Sequence, residues 1–232
     1  MSGKAVVLNP SLWAARRGVP VSYLTGRKKF LGRVFEITPD VLVPRSYTET
    51  LVQLVVDHVK TSAESRPRVL DVGTGTGCIA ISLAKELEEH CSVVAVDISP
   101  EALNVARRNA AALQASVSFI KSDLFRHVSG RFDIVVANLP YVPLRDYKSL
   151  FHTLQHEPRV ALCDGTNRWQ IFRQFFAQAP EHLMKGATIF LEIDPNSHPF
   201  LTKWAERYLN PTAVILHSDD GNNARFLEIA LA

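Results

Sequence analysis

From Pro67 to the C-terminus, short β-branched runs alternate with longer helical patterns, and this alternation limits the fold more than any other feature of the chain. Arg68 to Val72 reads as a strand and Cys78 to Glu89 as a helix. Ser92 to Ile98 reads as a second strand, followed by a helix from Pro100 to about Leu113. Val117 to Lys121 and Phe132 to Ala137 are two more strands. Thr166 to Met184 is expected to be helical, Ala187 to Ile193 extended, and Ser197 to Tyr208 helical again. Ala213 to His217 and Arg225 to Leu231 close the chain as strands. Such alternation predicts an open, mostly parallel sheet with helices on both faces. Only Ser218 to Asn223, rich in Asp, Gly and Asn, joins the last two strands, so they are expected to pair as an antiparallel hairpin at the sheet edge.

A seven-stranded, mostly parallel α/β sheet ending in such a hairpin resembles the Rossmann-like class I methyltransferase fold. Before Pro67 the pattern differs. Lys28 to Ile37 reads as a hairpin with Gly32 at its turn, and Tyr47 to Lys60 as an amphipathic helix after Pro44. The polar stretch Thr61 to Pro67 reads as a linker. The expected organisation is an N-terminal extension over residues 1–62 and one α/β domain over residues 63–232. A chain of 232 residues, 47% of them apolar, can bury one substantial core. No run of about twenty apolar residues is present, so no membrane span is expected. Asn9-Pro10 interrupts the apolar run after Lys4, which argues against a signal peptide and for a cytoplasmic protein. The formal charge of +3 does not suggest binding to nucleic acid by bulk charge.

The sharpest local signal is Asp71-Val72-Gly73-Thr74-Gly75-Thr76-Gly77 between the first strand and its helix. Glycine admits positive φ and close approach of a ligand to the main chain. The turn lies at the carboxyl end of a strand, where open α/β sheets bind ligands. The spacing is G-x-G-x-G, whereas a dinucleotide loop has G-x-G-x-x-G and a P-loop ends in Gly-Lys-Ser/Thr. Asp71 would repel a pyrophosphate but suits the cationic amino group of S-adenosyl-L-methionine. Asp97, at the end of the second strand, can accept from both ribose hydroxyls. Asp123, after Ser122 at the end of the third, can accept from the adenine amine. Gly73, Thr74, Gly75, Gly77, Ile98, Ser122 and Leu124 complete the expected cofactor site, with Asn138 at its far end. Each aspartate alone would pass for a turn or capping residue. Their recurrence at three successive strand ends, beside the glycine loop, favours a ligand site.

The fourth strand runs into Asn138-Leu139-Pro140-Tyr141. A planar amide or aniline-like nitrogen is a poor nucleophile because its lone pair is delocalised. The Asn138 side-chain carbonyl can accept one N–H of such a nitrogen, and the backbone carbonyl of Leu139 the other. The pair would draw the nitrogen toward tetrahedral geometry and aim its lone pair at a methyl group. Pro140 stiffens the turn, and Tyr141 offers a ring face to a planar substrate. Asn138, Leu139, Pro140 and Tyr141 are therefore the expected catalytic residues, and catalysis is expected to rest on positioning.

With these residues stated, the chain resembles the HemK/PrmC family, which methylates the side-chain amide nitrogen of glutamine in peptide-chain release factors. The resemblance runs from Pro20 to the C-terminus. It rests on Pro20-Val21-Ser22-Tyr23-Leu24-Thr25-Gly26 with Phe30, Gly32 and Phe35, and on Val41-Leu42-Val43-Pro44-Arg45 with Thr48-Glu49. His156-Glu157-Pro158-Arg159-Val160-Ala161-Leu162 is the third segment, and it implies a substrate-binding role for Glu157 beside Asn138, Pro140 and Tyr141. The family's usual Asn-Pro-Pro-Tyr has Leu139 in place of its first proline, which makes the motif similar to that of rRNA adenine dimethyltransferases. Ser46-Tyr47 replaces the family's Pro-Glu. Family members carry a helical recognition domain before the Pro20 equivalent, where this chain has nineteen residues. The resemblance thus implies a release factor docked through another surface or a small partner subunit, and otherwise a monomer. An adenine amine of RNA or DNA, a small molecule, and a non-catalytic cofactor-binding subunit stay open as alternatives.

The remaining candidates read as ordinary structure. The eight histidines show no ligand spacing, so no metal is expected. Cys78, Cys91 and Cys163 are scattered and read as free thiols. Trp169, Phe172, Phe175 and Phe176 recur at helical spacing and read as a core face. Arg16, Arg17, Arg27, Lys28 and Lys29 read as a solvated basic stretch.

Overall fold

The computed structural model describes residues 17–62, 66–142, 147, 154–163 and 169–232. The extreme N-terminus with Arg16, the middle of the expected linker, and the expected helical start Thr166 to Arg168 lie outside the described residues. The described chain begins with a short helix α1 (Val21–Thr25), a hairpin of β1 (Arg27–Phe30) and β2 (Arg33–Glu36), and helix α2 (Thr48–Thr61). The alternating units follow: β3 (Arg68–Val72), α3 (Cys78–Leu87), β4 (Ser92–Asp97), α4 (Pro100–Leu113), β5 (Val117–Lys121) and β6 (Phe132–Asn138). Short α5 (Arg159–Leu162) and α6 (Gln170–Gln178) precede β7 (Leu183–Glu192), α7 (His198–Leu209), β8 (Ala213–Ser218) and β9 (Ala224–Ala230).

The main sheet has seven strands in the order β5-β4-β3-β6-β7-β9-β8. All pairs from β5 to β7 are parallel, and β9 runs antiparallel to both β7 and β8. The C-terminal hairpin expected from sequence is present, with its second strand inserted between β7 and the edge strand β8. The order reverses at β3, which lies between β4 and β6, and a crevice opens there at the carboxyl ends of the strands. Strand β7 begins four residues before the expected Ala187, and helix α6 ends at Gln178. Pro180 explains the helix stop: the chain turns into a 3-10 segment (Ala179–His182) and then extends. Trp169, Phe172, Phe175 and Phe176 are buried in the core under that helix.

The N-terminal hairpin packs into the same core as helices α3 and α4. Phe30 and Phe35 are fully buried and meet edge to face, with ring centroids 6.0 Å apart. Their cluster includes Leu51, Val52, Val55 and Val56 of α2 together with Ile79, Leu83 and Val105. The tight turn places both Leu31 (φ 43°) and Gly32 (φ 75°) in the left-handed region. Leu31 carries a side chain there, and its amide donates to Glu49 Oε1 at 3.0 Å, which holds the turn against α2. Asn109 ties the hairpin to the glycine loop: Oδ1 accepts from Glu36 N at 2.7 Å, and Nδ2 donates to Glu36 O and Thr76 O. Among the described residues no helix is long and apolar enough to cross a membrane.

Candidate active site

The crevice at the strand ends holds a cavity of about 470 Å³, a size typical of small-molecule sites. Val72, Gly73 and Gly75 of the glycine loop line it, with Asp97, Ile98, Ser122, Asp123 and Leu124 and with Asn138, Leu139 and Pro140. Asp40 to Leu42 and residues of α5 and α6, among them Gln170 and Gln174, complete the wall. Eight residues named from sequence as cofactor-binding therefore share one cavity with three of the reaction motif, Asn138 counting in both sets.

The glycine loop is held by its neighbours in sequence and space. Gly73 N and Thr74 N both donate to Val96 O at 2.9 Å. Gly75 N donates to Asp97 Oδ2 at 2.8 Å, and Ser99 N to Oδ1 at 2.9 Å. Each Asp97 oxygen thus keeps lone-pair capacity for a further donor in the cavity. Burial raises its pKa above the usual carboxylate range, and the three backbone N–H groups around it oppose that rise. Gly75 has φ +54°, and a Cβ there would project into open space, so the absent side chain leaves main chain exposed to a ligand. Gly77 has a different reason to be glycine. Its Cβ would meet Ile81 Cδ1 at 2.9 Å and Ala106 Cβ at 3.1 Å, so its absence lets α3 and α4 close together.

Besides Gly77, the residues Asp71, Thr74, Glu157 and Tyr141, named from sequence for the site, do not line the cavity. Successive strand residues face opposite ways, so Val72 lines the cavity while Asp71 points beneath the start of α3. Asp71 is fully buried; its Oδ2 accepts from Thr74 Oγ1 at 2.7 Å and Ala80 N at 3.2 Å. The N-cap Gly77 has no side chain, so Asp71 satisfies a free amide of the first turn in its place. Burial pushes the Asp71 pKa up to about 7, against those two hydrogen bonds. Its Oδ1 is buried without a partner among the described residues. Thr74 faces the same way, toward Asp71.

Glu157 is also turned inward. It is 3% exposed, accepts from Val43 N at 3.0 Å and pairs with Arg45 Nη2 at 2.6 Å. It therefore braces the 41–45 segment that forms part of the cavity wall. Tyr141 lies beside Tyr47, the residue standing where the family has a glutamate, and burial raises the pKa of both hydroxyls. Arg225 sits over the Tyr47 ring, 4.3 Å from its centroid.

The reaction motif has a partner that the sequence reading missed. Asn138 Nδ2 donates to Glu192 Oε1 at 2.8 Å, and Thr48 Oγ1 donates to Glu192 Oε2 at 2.7 Å. Glu192 is 1% exposed, and burial raises its pKa to about 7. Leu139 packs across the glycine loop; a Cβ on Gly73 would meet its Cδ2 at 3.3 Å. Among the described residues no group of three His, Cys, Asp or Glu side chains could hold a metal ion.

Comparison with known proteins adds to this geometry. Residues 48–199 match the family model described as the methyltransferase small domain. A release factor glutamine methyltransferase of Koribacter versatilis is 42% identical over 200 residues, covering 82% of this chain and 70% of the relative. The Geobacter sulfurreducens enzyme of the same name is 38% identical, covering 80% of this chain and 67% of the relative. Among solved structures, the Thermus thermophilus 16S rRNA N2 G1207 methyltransferase superposes with a TM-score of 0.64 at 19% identity, over 89% of this chain and 50% of that one. The ribosomal protein L11 methylase of Lactobacillus delbrueckii gives 0.56 at 23% identity, over 80% of this chain and 78% of that one. These structures share the fold.

Proposed function

Since this chain belongs to the release factor glutamine methyltransferase family and is an S-adenosylmethionine-dependent methyltransferase, we propose that it methylates the side-chain amide nitrogen of a glutamine in a peptide-chain release factor. The observation that carries this reading is that Asn138, Leu139 and Pro140 line the same cavity as the glycine loop and Asp97, with Leu139 directly against Gly73. Asn138 Nδ2 is engaged by Glu192, which leaves Oδ1 as the atom available to an incoming N–H.

The residues present suit the proposed cofactor. Gly73 and Gly75 would lie along its methionine part, with Asp71 beneath them holding the loop to the start of α3 through Thr74 and Ala80. Asp97 would accept from the ribose hydroxyls, and Asp123 from the adenine amine. Ile98 and Leu124 offer apolar surface to the base. When bound, S-adenosylmethionine supplies a methyl group on a sulfonium sulfur that departs as a neutral thioether.

Asn138 Oδ1 and the Leu139 carbonyl would each accept one N–H of the glutamine amide, which localises the nitrogen lone pair and directs it along the line of transfer. The nitrogen would take the methyl group as the sulfonium leaves as a thioether, and the N-protonated amide so formed would be acidic enough to lose its proton to water. No strong base is required at the site.

The experiment is transfer of label from S-adenosylmethionine to purified release factor, run against deproteinised RNA. Label on the release factor is expected. Label on RNA alone would replace the reading with methylation of a base amine, and label on neither would remove the release factor as acceptor.

A further inference from the structure

Asn138 and Glu192 are paired residues at the ends of adjacent parallel strands, β6 and β7. Their contact is an amide N–H to a carboxylate, not merely packing: the distance is 2.8 Å, and the carboxylate is almost wholly buried. An asparagine amide has two nearly isosteric ends, one accepting and one donating. A cavity wall that must present the acceptor end needs something to settle the choice. An ionised carboxylate accepts only, so it binds Nδ2 and turns Oδ1 away. Thr48 Oγ1 occupies the other carboxylate oxygen at 2.7 Å, which fixes the carboxylate in turn.

We propose that Glu192 is a positioning residue for methyl transfer, locking the Asn138 amide with its carbonyl oxygen toward the acceptor nitrogen. The proposal rests on the reading of this site as a nitrogen methyltransferase. Strand β6 supplies the acceptor group, strand β7 sets its orientation, and helix α2 anchors both through Thr48. The groups facing Glu192 are Thr48 at the start of α2, Tyr47 and Arg45 just before it, Asn138 and Tyr141 beside β6, Arg225 on β9 and Cys78 on α3. Arg225 and Arg45 favour its ionised form, against the burial that disfavours it. A neutral Glu192 could donate its proton to Asn138 Oδ1 and so flip the amide into the orientation that presents N–H to the acceptor. The ionised form is the competent one.

A swap tests the pair. Asn138→Asp puts two carboxylates in contact, so either a proton is shared or both repel, and the substrate-facing acceptor is lost. Glu192→Gln alone is close to isosteric, but its amide can settle in either of two orientations. Combining Asn138→Asp with Glu192→Gln restores one N–H donor to one carboxylate. The bond then runs from an amide at the end of β7 to a carboxylate at the end of β6, and a carboxylate oxygen again faces the acceptor. With purified release factor as acceptor, the double variant is expected to recover about tenfold or more of the turnover lost in Asn138→Asp, the scale of coupling between residues in direct contact. Turnover at or below the product of the two single losses would overturn the proposal.

A second arm does not depend on the acceptor. By NMR, the Asn138 side-chain N–H, identified by its loss in Asn138→Asp, should be shifted as a carboxylate-bonded proton. It should titrate with an apparent pKa near the value of about 7 for Glu192, and stop titrating in Glu192→Gln. A solvent-like Asn138 amide that is insensitive to Glu192→Gln would overturn it. Failure of wild-type protein to methylate release factor would count against the proposed acceptor, while the NMR arm would still decide the role of Glu192.

Discussion

Asn138 and Glu192 stand 54 residues apart in sequence and 2.8 Å apart in space, joined amide to carboxylate across two parallel strands. The bond makes the reaction motif a two-strand device. Asn138 alone offers either end of its amide; with Glu192 it offers the carbonyl. The same carboxylate draws Thr48 of helix α2 into the arrangement, so the N-terminal part of the chain takes a hand in orienting the motif.

Loss of the Asn138 side chain should separate binding from turnover. Asn138→Ala is expected to leave cofactor affinity nearly intact while turnover drops about a hundredfold or more, the range for removal of a positioning group. Calorimetry with the cofactor and initial rates with release factor measure the two quantities. Equal losses in both would mean that Asn138 holds the cofactor and not the acceptor.

Asp97 should show the opposite division. It lines the cavity, and its two oxygens already organise Gly75 and Ser99. Asp97→Ala is expected to weaken S-adenosylmethionine binding by about 1.5–3 kcal/mol, the scale of hydrogen bonds to a charged group. A folded variant with unchanged affinity would remove Asp97 from the ribose position.

Much of this site was legible in the sequence, and the missed parts have a common cause. Gly73, Gly75, Asp97, Ser122 and Asp123 follow strands whose ends were marked by periodicity, and strand ends converge in a parallel sheet. Local pattern therefore sufficed to place them together. Glu192 ends an apolar strand and looks like any turn carboxylate; its partner is set by the register of β6 against β7, which no local pattern reveals. Asn109 was missed for the same reason, since its contacts reach Glu36 across 73 residues. Asp71 and Glu157, expected to face the ligands, turn out to support the cavity from behind. Strand alternation turns Asp71 under α3, and the ion pair with Arg45 turns Glu157 into the wall.

Asp71 gives the account a pH dependence. Its folded pKa of about 7 lies above the ordinary 3.8, so from about pH 4 to 7 the folded protein keeps a proton that the unfolded chain has released. Its contribution to stability is therefore present below about pH 4 and lost as pH rises through 7. Denaturant melts of wild type and Asp71→Asn between about pH 4 and 8 check it: the wild type is expected to lose stability relative to the variant as pH rises to about 7, and parallel profiles would contradict it.

Gly77 tests packing apart from chemistry. Its φ of +80° disfavours any side chain, and a methyl group would press on Ala106 Cβ of α4 at 3.1 Å and displace the Ile81 Cδ1 methyl at 2.9 Å. Gly77→Ala is expected to cost about 1–3 kcal/mol of stability, from strain and overpacking together. Denaturant melts measure this, and a neutral result would mean that the two helices separate freely at this point.

The measurement closest to the central claim is tandem mass spectrometry of release factor after incubation with S-adenosylmethionine and either wild-type protein or Asn138→Ala. A single added methyl group is expected on the side-chain amide nitrogen of a glutamine, formed by the wild type and reduced about a hundredfold in the variant. A methyl group on a carboxylate or a lysine, or equal modification by both proteins, would contradict it.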